Sequence, residues 1–560
     1  MPSVPVALAD GKMVRLKPDA RDRHMHVLGL PGMGKSYFLE NLVRNDIIAG
    51  HGVCVIDPHG TLYNNLVQWI TSEKLERVRT IHLLNPSDQT YTFGFNPLCL
   101  ENGTRLEYRV DAMVDACIKV WGGEKLTDTP RLAKCLTAVF HTLAANKLSL
   151  AEARYLTNTQ FRDAAYSLLE RIENEEYKAL WLEFLSGFKP QTFTEYFEST
   201  MSRLLPFVGN PVIREIVGQT DNLINFRECM DRGHVVLVNL RPSGEISASA
   251  ARLLGALITN DLYTTAFSRD EKTAKRRPFY CYIDECGRFL TEDIVNSLDE
   301  TRKFGLHMVL SHQRINQLTE YGDNFYNAVM AGAQLKVMFR PGDEETADIM
   351  SRHFFRTSFD LELPKRSMDK PFVVGYDTVW FESETISGTD ISGASQGDGA
   401  GAGIGSSMSQ IYDSQGMPIG GYVAGDSHSS SSFSTSSRFD TVARTHSQTR
   451  AEGLKPVIEW LPTELYKLDE LIHLGMIELL KLPKRTAWVG GAGLAPFKIE
   501  TSEIKPGMLL PQFVPNRVAK INEHSTAVST RKRVRDAMAL RAFALEHADD
   551  EPVTGDDAAF

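Results

Sequence analysis

The sequence predicts an α/β protein. A mostly parallel sheet carries helices on both faces and is interrupted by an all-helical insertion. Apolar runs of strand length alternate with helix-period segments both before residue 103 and after residue 230. A Gly-rich turn joins an early strand to the first long helix. Between 103 and 230 the apolar spacing switches to three and four, with little β-branched alternation.

Residues 5–30 read as short strands: "VALAD", "MVRL" and "HMHVLGL". The last ends in "GLPGMGKS", and "SYFLENLVRNDIIAG" continues at helical spacing to a Gly stop. "GVCVIDPHG" is a buried strand ending in a turn, so the opening is a strand–helix–strand unit with parallel strands. "VRTIHLLNP" is another strand. "RLEYRVDAMVDACIKVW", "RLAKCLTAVFHTLAANK", "FRDAAYSLLERIENEEYKALWLEFL" and "YFESTMSRLLPFV" fill an insertion long enough for its own core.

The sheet resumes with the strand "HVVLVNL", the helix "SASAARLLGALITNDLYTTAFSR" and the strand "PFYCYIDE". The helix "IVNSLDETRKFG" and the strands "LHMVLSHQ" and "AQLKVMFR" follow. From 386 to 453 the composition falls to Gly, Ser and Asp, too little apolar area to offset ordering entropy, and the expectation is a linker without structure. "VIEWLPTELYKLDELIHLGMIELLKLP" reads as a helix and "TAWVGG" as a strand. The tail reads as a basic-to-acidic helix: "TRKRVR" is followed by acidic residues, which favours a solvated helix end over a nucleic-acid arm. The expected division is 1–102 and 231–385 for the two parts of the α/β domain and 103–230 for the insertion. A linker at 386–453, an ordered segment at 454–515 and a charged tail at 516–560 complete it.

A chain of 560 residues exceeds one ordinary core. Its net charge of −10 is not the global signature of a nucleic-acid binder, so any such contact must rest on a local set of basic groups. The longest apolar helix segment is broken by Arg252 and Asp261, and "MPSVPVALADGK" is no secretory leader, so the expected location is cytoplasmic. Seven cysteines without a Cys-x-x-Cys make neither a disulfide framework nor a zinc site. Cys281 and Cys286 read as core thiols.

Gly29-Leu30-Pro31-Gly32-Met33-Gly34-Lys35-Ser36 fits G-x-x-x-x-G-K-[ST], after a strand and opening a helix. Glycines let backbone N–H groups turn inward around phosphates. Lys35 is placed to reach the β- and γ-phosphates of ATP, and the Ser36 hydroxyl to ligate Mg²⁺. The candidate nucleotide-contacting set is Gly29, Pro31, Gly32, Met33, Gly34, Lys35, Ser36, Tyr37 and Asp57. "FYCYIDE" ends in two carboxylates: Asp284 is the candidate second Mg²⁺ ligand and Glu285 the candidate general base. The plain alternative for Asp284 is a cap on the next helix. Gln313, at the tip of an apolar strand, is a candidate for sensing the γ-phosphate or orienting water; a turn residue is the plain alternative. Arg302 and Arg340 are alternative candidates for an arginine finger acting on a neighbouring subunit.

The phosphate loop, "VIDPHG", and "IDE" followed by "TRKFGLHMVLSHQ" together resemble the HerA/FtsK superfamily of ring ATPases. Within it the chain is most similar to the coupling-protein ATPases of conjugation and type IV secretion. The long helical insertion, "YFESTMSRLLPFVGNPVIREIVG", "HVVLVNLRPSGEISASAARLLGALI" and "LKVMFRPGDEETADIMSRHF" carry that likeness, over roughly 5–360 and more weakly 455–510. The resemblance implies a RecA-like P-loop NTPase fold, a homo-hexameric ring, ATP with Mg²⁺ at subunit interfaces, and a pore that moves DNA gripped through its phosphates. Lys303 and Arg314 are candidates for that grip.

The resemblance assigns Gln313 to the γ-phosphate and Arg302 to the trans finger, and it matches Asp57 and His59 to "DPHG" without a derived role. Implied partners are a relaxase, a nuclease or a membrane-anchored secretion component. Coupling proteins usually carry N-terminal transmembrane helices, and this chain starts almost at the motor. The expectation is a soluble member, held at the inner membrane only through a partner. Alternative readings are a nucleotide-gated scaffold that recruits an effector, and a motor that moves protein. The sequence leaves open the DNA polymer, the direction and the biological system.

Overall fold

In the computed structural model, residues 4–9, 12–100, 105–122, 130–290, 298–320, 322–355, 369–391, 399–412, 418–433, 441–462 and 467–547 are described. The chain divides into two units, Met1–Leu361 with Tyr466–Phe560, and Glu362–Leu465.

In the first unit the apolar runs become strands β1 (Val4–Ala9), β2 (Lys12–Leu16), β3 (Met25–Leu28), β4 (Gly52–Asp57) and β5 (Ile81–Leu84). The short β6 (Tyr91–Phe93) follows, and then β7 (Val235–Asn239), β8 (Phe279–Ile283), β9 (Leu306–His312) and β10 (Leu335–Phe339). In the second unit are β11 (Asp369–Ile391), β12 (Gly399–Tyr412), β13 (Pro418–Phe433) and β14 (Thr441–Pro462). β15 (Thr486–Gly491), β16 (Leu494–Thr501) and β17 (Val528–Thr530) return to the first.

Eleven strands make one sheet in the order β2-β1-β16-β15-β10-β3-β9-β8-β4-β7-β5. The seven from β10 to β5 are parallel, and β15, β16, β1 and β2 extend them as an antiparallel edge. Strand side chains alternate between faces. Val53 and Val55 enter the core on one face, with Phe38, Leu42 and Trp69 of the flanking helices. Cys54 and Ile56 enter the opposite core, which is continuous with the helical insertion. Both faces are covered, as a parallel sheet requires.

The insertion holds helices from Leu106–Gly122 to Phe226–Arg232. Local signals set its starts: Asn174, Asn210 and Asn225 cap helix N-termini, and Pro190 and Pro211 open them. Its centre is Trp181, fully buried and stacked on Phe197, with its indole N–H donating to Thr142 Oγ1 at 2.7 Å. The tail helix Arg531–Glu546 straps onto the insertion. Arg531 and Arg535 pair with Glu215, so part of "TRKRVR" is spent inside the molecule rather than solvated.

The structure corrects two expectations in the second unit. Within 386–453 the described residues form strands rather than an unstructured linker: β11 pairs with β14 and β12 with β13, both antiparallel. The reason lies in the flanks. "FVVGYDTVWF" and "LKPVIEWLP" are β-formers that pair across the tract, Val373 opposite Ile458 and Thr378 opposite Leu454. Once they are in register the ladder continues to Ile391 opposite Thr441. By the same pairing, "VIEWLP" belongs to β14, and the helix expected from there begins only at Leu468 and ends at Leu480.

Candidate functional site: a phosphate loop facing a held carboxylate

β3 lies between β10 and β9, and the chain changes direction of travel there. A parallel sheet places ligands at the C-terminal ends of such strands. The loop after β3 is fixed from both sides. Leu30 N–H donates to the Arg340 carbonyl at 3.0 Å, at the end of β10. On the other side Arg485 N–H donates to the Met33 carbonyl at 2.7 Å. Gly29 has φ +153°, and a Cβ there would stand 2.5 Å from Phe339 Cβ. Gly34 has φ +115° with Arg485 Cα 3.0 Å from its would-be Cβ. Only glycine fits either place. Pro31, Gly32 and Ser36 are exposed, and the helix Lys35–Ile48 opens directly behind them. That helix is tied to β8 by the buried Arg21–Asp46 pair, which also engages the Tyr282 hydroxyl.

The two expected acids meet this loop. Lys35 Nζ lies 3.5 Å from Asp284 Oδ1 and 3.8 Å from Glu285 Oε1. Asp284 Oδ1 accepts Ser311 Oγ at 2.8 Å and the Glu285 N–H at 3.2 Å, so its helix-cap alternative is not what the side chain does here. Glu285 takes the left-handed conformation, φ +50°, a strained choice for a residue with a Cβ. Gln313 Nε2 donates to Glu285 Oε1 at 2.6 Å and Gln317 Nε2 to Oε2 at 3.1 Å. His59 Nε2 stands 3.9 Å from Oε1. Burial pushes the Glu285 carboxyl up, but His59, the Lys35 charge, Gln313 and Gln317 outweigh it and hold it at about 2. The same contact raises His59 above its ordinary value.

Lys35, Asp284, Glu285 and Gln313 are thus brought together, as expected. Asp57 is otherwise occupied: its carboxylate accepts the His59 N–H at 2.8 Å and the Tyr63 N–H at 2.9 Å, which shapes the "DPHG" turn and delivers His59 to Glu285. Arg302 is exposed at the opposite end of β9 from Gln313, and does not enter the site of its own chain. Arg340 is exposed, and only its backbone touches the loop. Cys281 and Cys286 are buried core thiols.

Sequence reasoning missed Ser311, Gln317 and Arg485. Gln317 sits four residues after Gln313, a helical spacing that could have marked it. Arg485 had no local signal. Its guanidinium stacks 4.6 Å over the Tyr37 ring, and the Tyr37 hydroxyl donates to the Ile504 carbonyl at 2.9 Å.

The family of the TraM recognition site of TraD and TraG matches residues 278–358, the stretch that runs from the edge of β8 past Asp284, Glu285, Gln313 and Arg340. Among solved structures, the plasmid coupling protein TrwB in complex with a non-hydrolysable ATP analogue matches with 17% identity over 91% of this chain and 92% of that one, with a TM-score of 0.52. The fold is the P-loop NTPase fold of that coupling protein. The unbound bacterial conjugative coupling protein TrwBdeltaN70 matches at 17% identity over 91% and 92% of the two chains, TM-score 0.48. VirB4 of Thermoanaerobacter pseudethanolicus matches at 14% over 62% and 87%, TM-score 0.41. No curated protein matches the chain. No described helix of this coupling-protein-like fold is long and apolar enough to cross a membrane.

The donor set fits a magnesium nucleotide. Two glycines admit no side chain beside the loop, Ser36 is exposed at the start of the helix behind it, and the buried Lys35 ammonium stands between two carboxylates.

Proposed function

We propose that the chain is an ATP-hydrolysing ring motor that moves DNA in conjugative transfer or type IV secretion. The observation that supports it best is Glu285: an ionised, buried carboxylate aimed at the phosphate loop and held by Gln313 and Gln317. Such a group orients and polarises a water rather than serving as a strong free base. Lys35 supplies positive charge to the phosphates, and the loop's backbone N–H groups orient them. Ser36 and Asp284 would hold Mg²⁺, which when bound neutralises phosphate charge. Gln313 reports the γ-phosphate to β9. Arg302 is proposed as the finger that reaches a neighbouring subunit, with Arg340 as the alternative, and the ring is the assembly that requires such a finger. DNA is gripped through phosphates by basic groups such as Lys303 and Arg314, both exposed.

The test is ATP turnover with and without single- and double-stranded DNA, with Glu285→Gln as blank. DNA stimulation that vanishes in the variant supports the motor and tells which polymer it grips. Turnover indifferent to DNA refutes it. That outcome would favour a second reading, nucleotide-gated recruitment of a relaxosome or effector protein, for which the family match at 278–358 is the motivation.

A further inference from the structure

Lys336 is the second residue of β10, near the far end of that strand from Arg340 and the phosphate loop. At about 3.3 Å per residue the two ends are about 13 Å apart. The Lys336 side chain is only 4% exposed, and its ammonium donates to the Met330 carbonyl at 2.7 Å. Among the described residues no carboxylate pairs with it. A buried ammonium without a counter-ion is costly, and folds retain one where something neutralises it.

Beside it is a cavity of about 240 Å³, lined by Arg23, Gln334, Lys336 and His353 and by the turn Gly490–Gly493. None of the described lining residues is acidic. The turn leaves backbone at the wall: Gly491, φ +85°, lies against the Gln334 carbonyl with no room for a Cβ, while a Cβ on Gly493 would meet nothing within 4 Å. The volume equals about eight waters at about 30 Å³ each, enough for a tetrahedral oxyanion and part of its hydration.

We propose that this cavity binds one phosphate group, with the Lys336 ammonium as its principal counter-charge, Arg23 as a second cation and the His353 ring as a hydrogen-bonding neighbour. His26, stacked 4.6 Å from His312, and His353 are both held below their ordinary values, by burial first and by the Lys336 charge as well. Burial lowers the Lys336 ammonium itself to about 7. A bound anion reverses that penalty. The site is separate from the nucleotide loop and does not rest on the motor reading.

The test is calorimetric titration of inorganic phosphate into full-length protein carrying Lys35→Ala, which silences the phosphate loop, and into the same protein with Lys336→Met added. Methionine keeps the length and apolar stem of the buried side chain. The first is expected to bind one phosphate per chain, and the second to bind more than about tenfold more weakly, the loss of a charge-assisted contact. Arg23→Gln, at the cavity wall, is the second variant, with a smaller loss expected. Competition by a 5′-phosphorylated oligonucleotide but not its unphosphorylated twin assigns the ligand as a terminal phosphate. Competition by both assigns a backbone phosphodiester, and by neither, free phosphate. No saturable binding to the Lys35→Ala protein, or equal binding after Lys336→Met, overturns the proposal.

Discussion

Replacing Glu285 by Gln separates the chemistry from the scaffold. The amide has the same shape, so one of its atoms still accepts from Gln313 or Gln317, and the other now faces a donor with a donor. One hydrogen bond is lost, about 1 kcal/mol. Lys35 keeps Asp284 at 3.5 Å. The fold and the phosphate loop therefore persist, while the group that polarises water is gone. Loss of such a group costs about 10²–10⁴ in rate, or about 2.7–5.5 kcal/mol of barrier. The expected result is turnover lower by that factor, with ATP affinity kept. A second readout belongs to the structure alone. His59 is raised by Glu285, so its titration, followed by NMR, is expected to fall back towards about 6.5 in the variant. Turnover within tenfold of the parent, or a His59 titration that does not move, would refute the assignment.

Because Glu285 is held at about 2 against an ordinary 4.5, its contribution to stability is full above 4.5 and lost as pH falls from there towards 2. Urea melts of the parent are expected to lose their advantage over Glu285→Gln in that window, and a constant gap would contradict the hold. Gly29→Ala places a Cβ 2.5 Å from Phe339 Cβ, so a loss of about 1–3 kcal/mol in chemical melts and of nucleotide binding by titration is expected. Joining Ile391 to Thr441 by a short turn in place of 392–440 keeps the β11–β14 register. ATP turnover of the first unit is expected to be unchanged; a loss like that of Glu285→Gln would show the hairpin to be part of the motor.

How much of this was legible follows from how each signal is encoded. The phosphate loop, Asp284, Glu285 and Gln313 are strand-tip residues in short motifs, and strand tips of one parallel sheet converge whatever lies between them. The insertion announced itself by period. Ser311 and Gln317 flank Gln313 and were within reach of the same reasoning, but nothing in their identity separates a functional partner from a turn. Arg485 was invisible because its role is backbone geometry: one N–H on Met33, from a segment with no motif of its own. The 386–453 tract failed for a different reason. Composition measures apolar area, and strand pairing is decided by what flanks the tract and brings its ends into register. Arg302 stays a residue of surface position, and its role depends on a neighbour.

The clamp of Arg485 on the phosphate loop also has a consequence for biosynthesis. Lys35 leaves the ribosome 450 residues before Arg485 does (485 − 35). At about 5–20 residues per second, that is about 20–90 s during which the loop exists without one of its two walls. β3 likewise waits for β9 and β10, and β1 for β16. The nascent N-terminal segment therefore presents unpaired strand edges through most of translation. Its nucleotide site closes only when the C-terminal strands arrive, so truncated chains are expected to be both inactive and prone to chaperone capture.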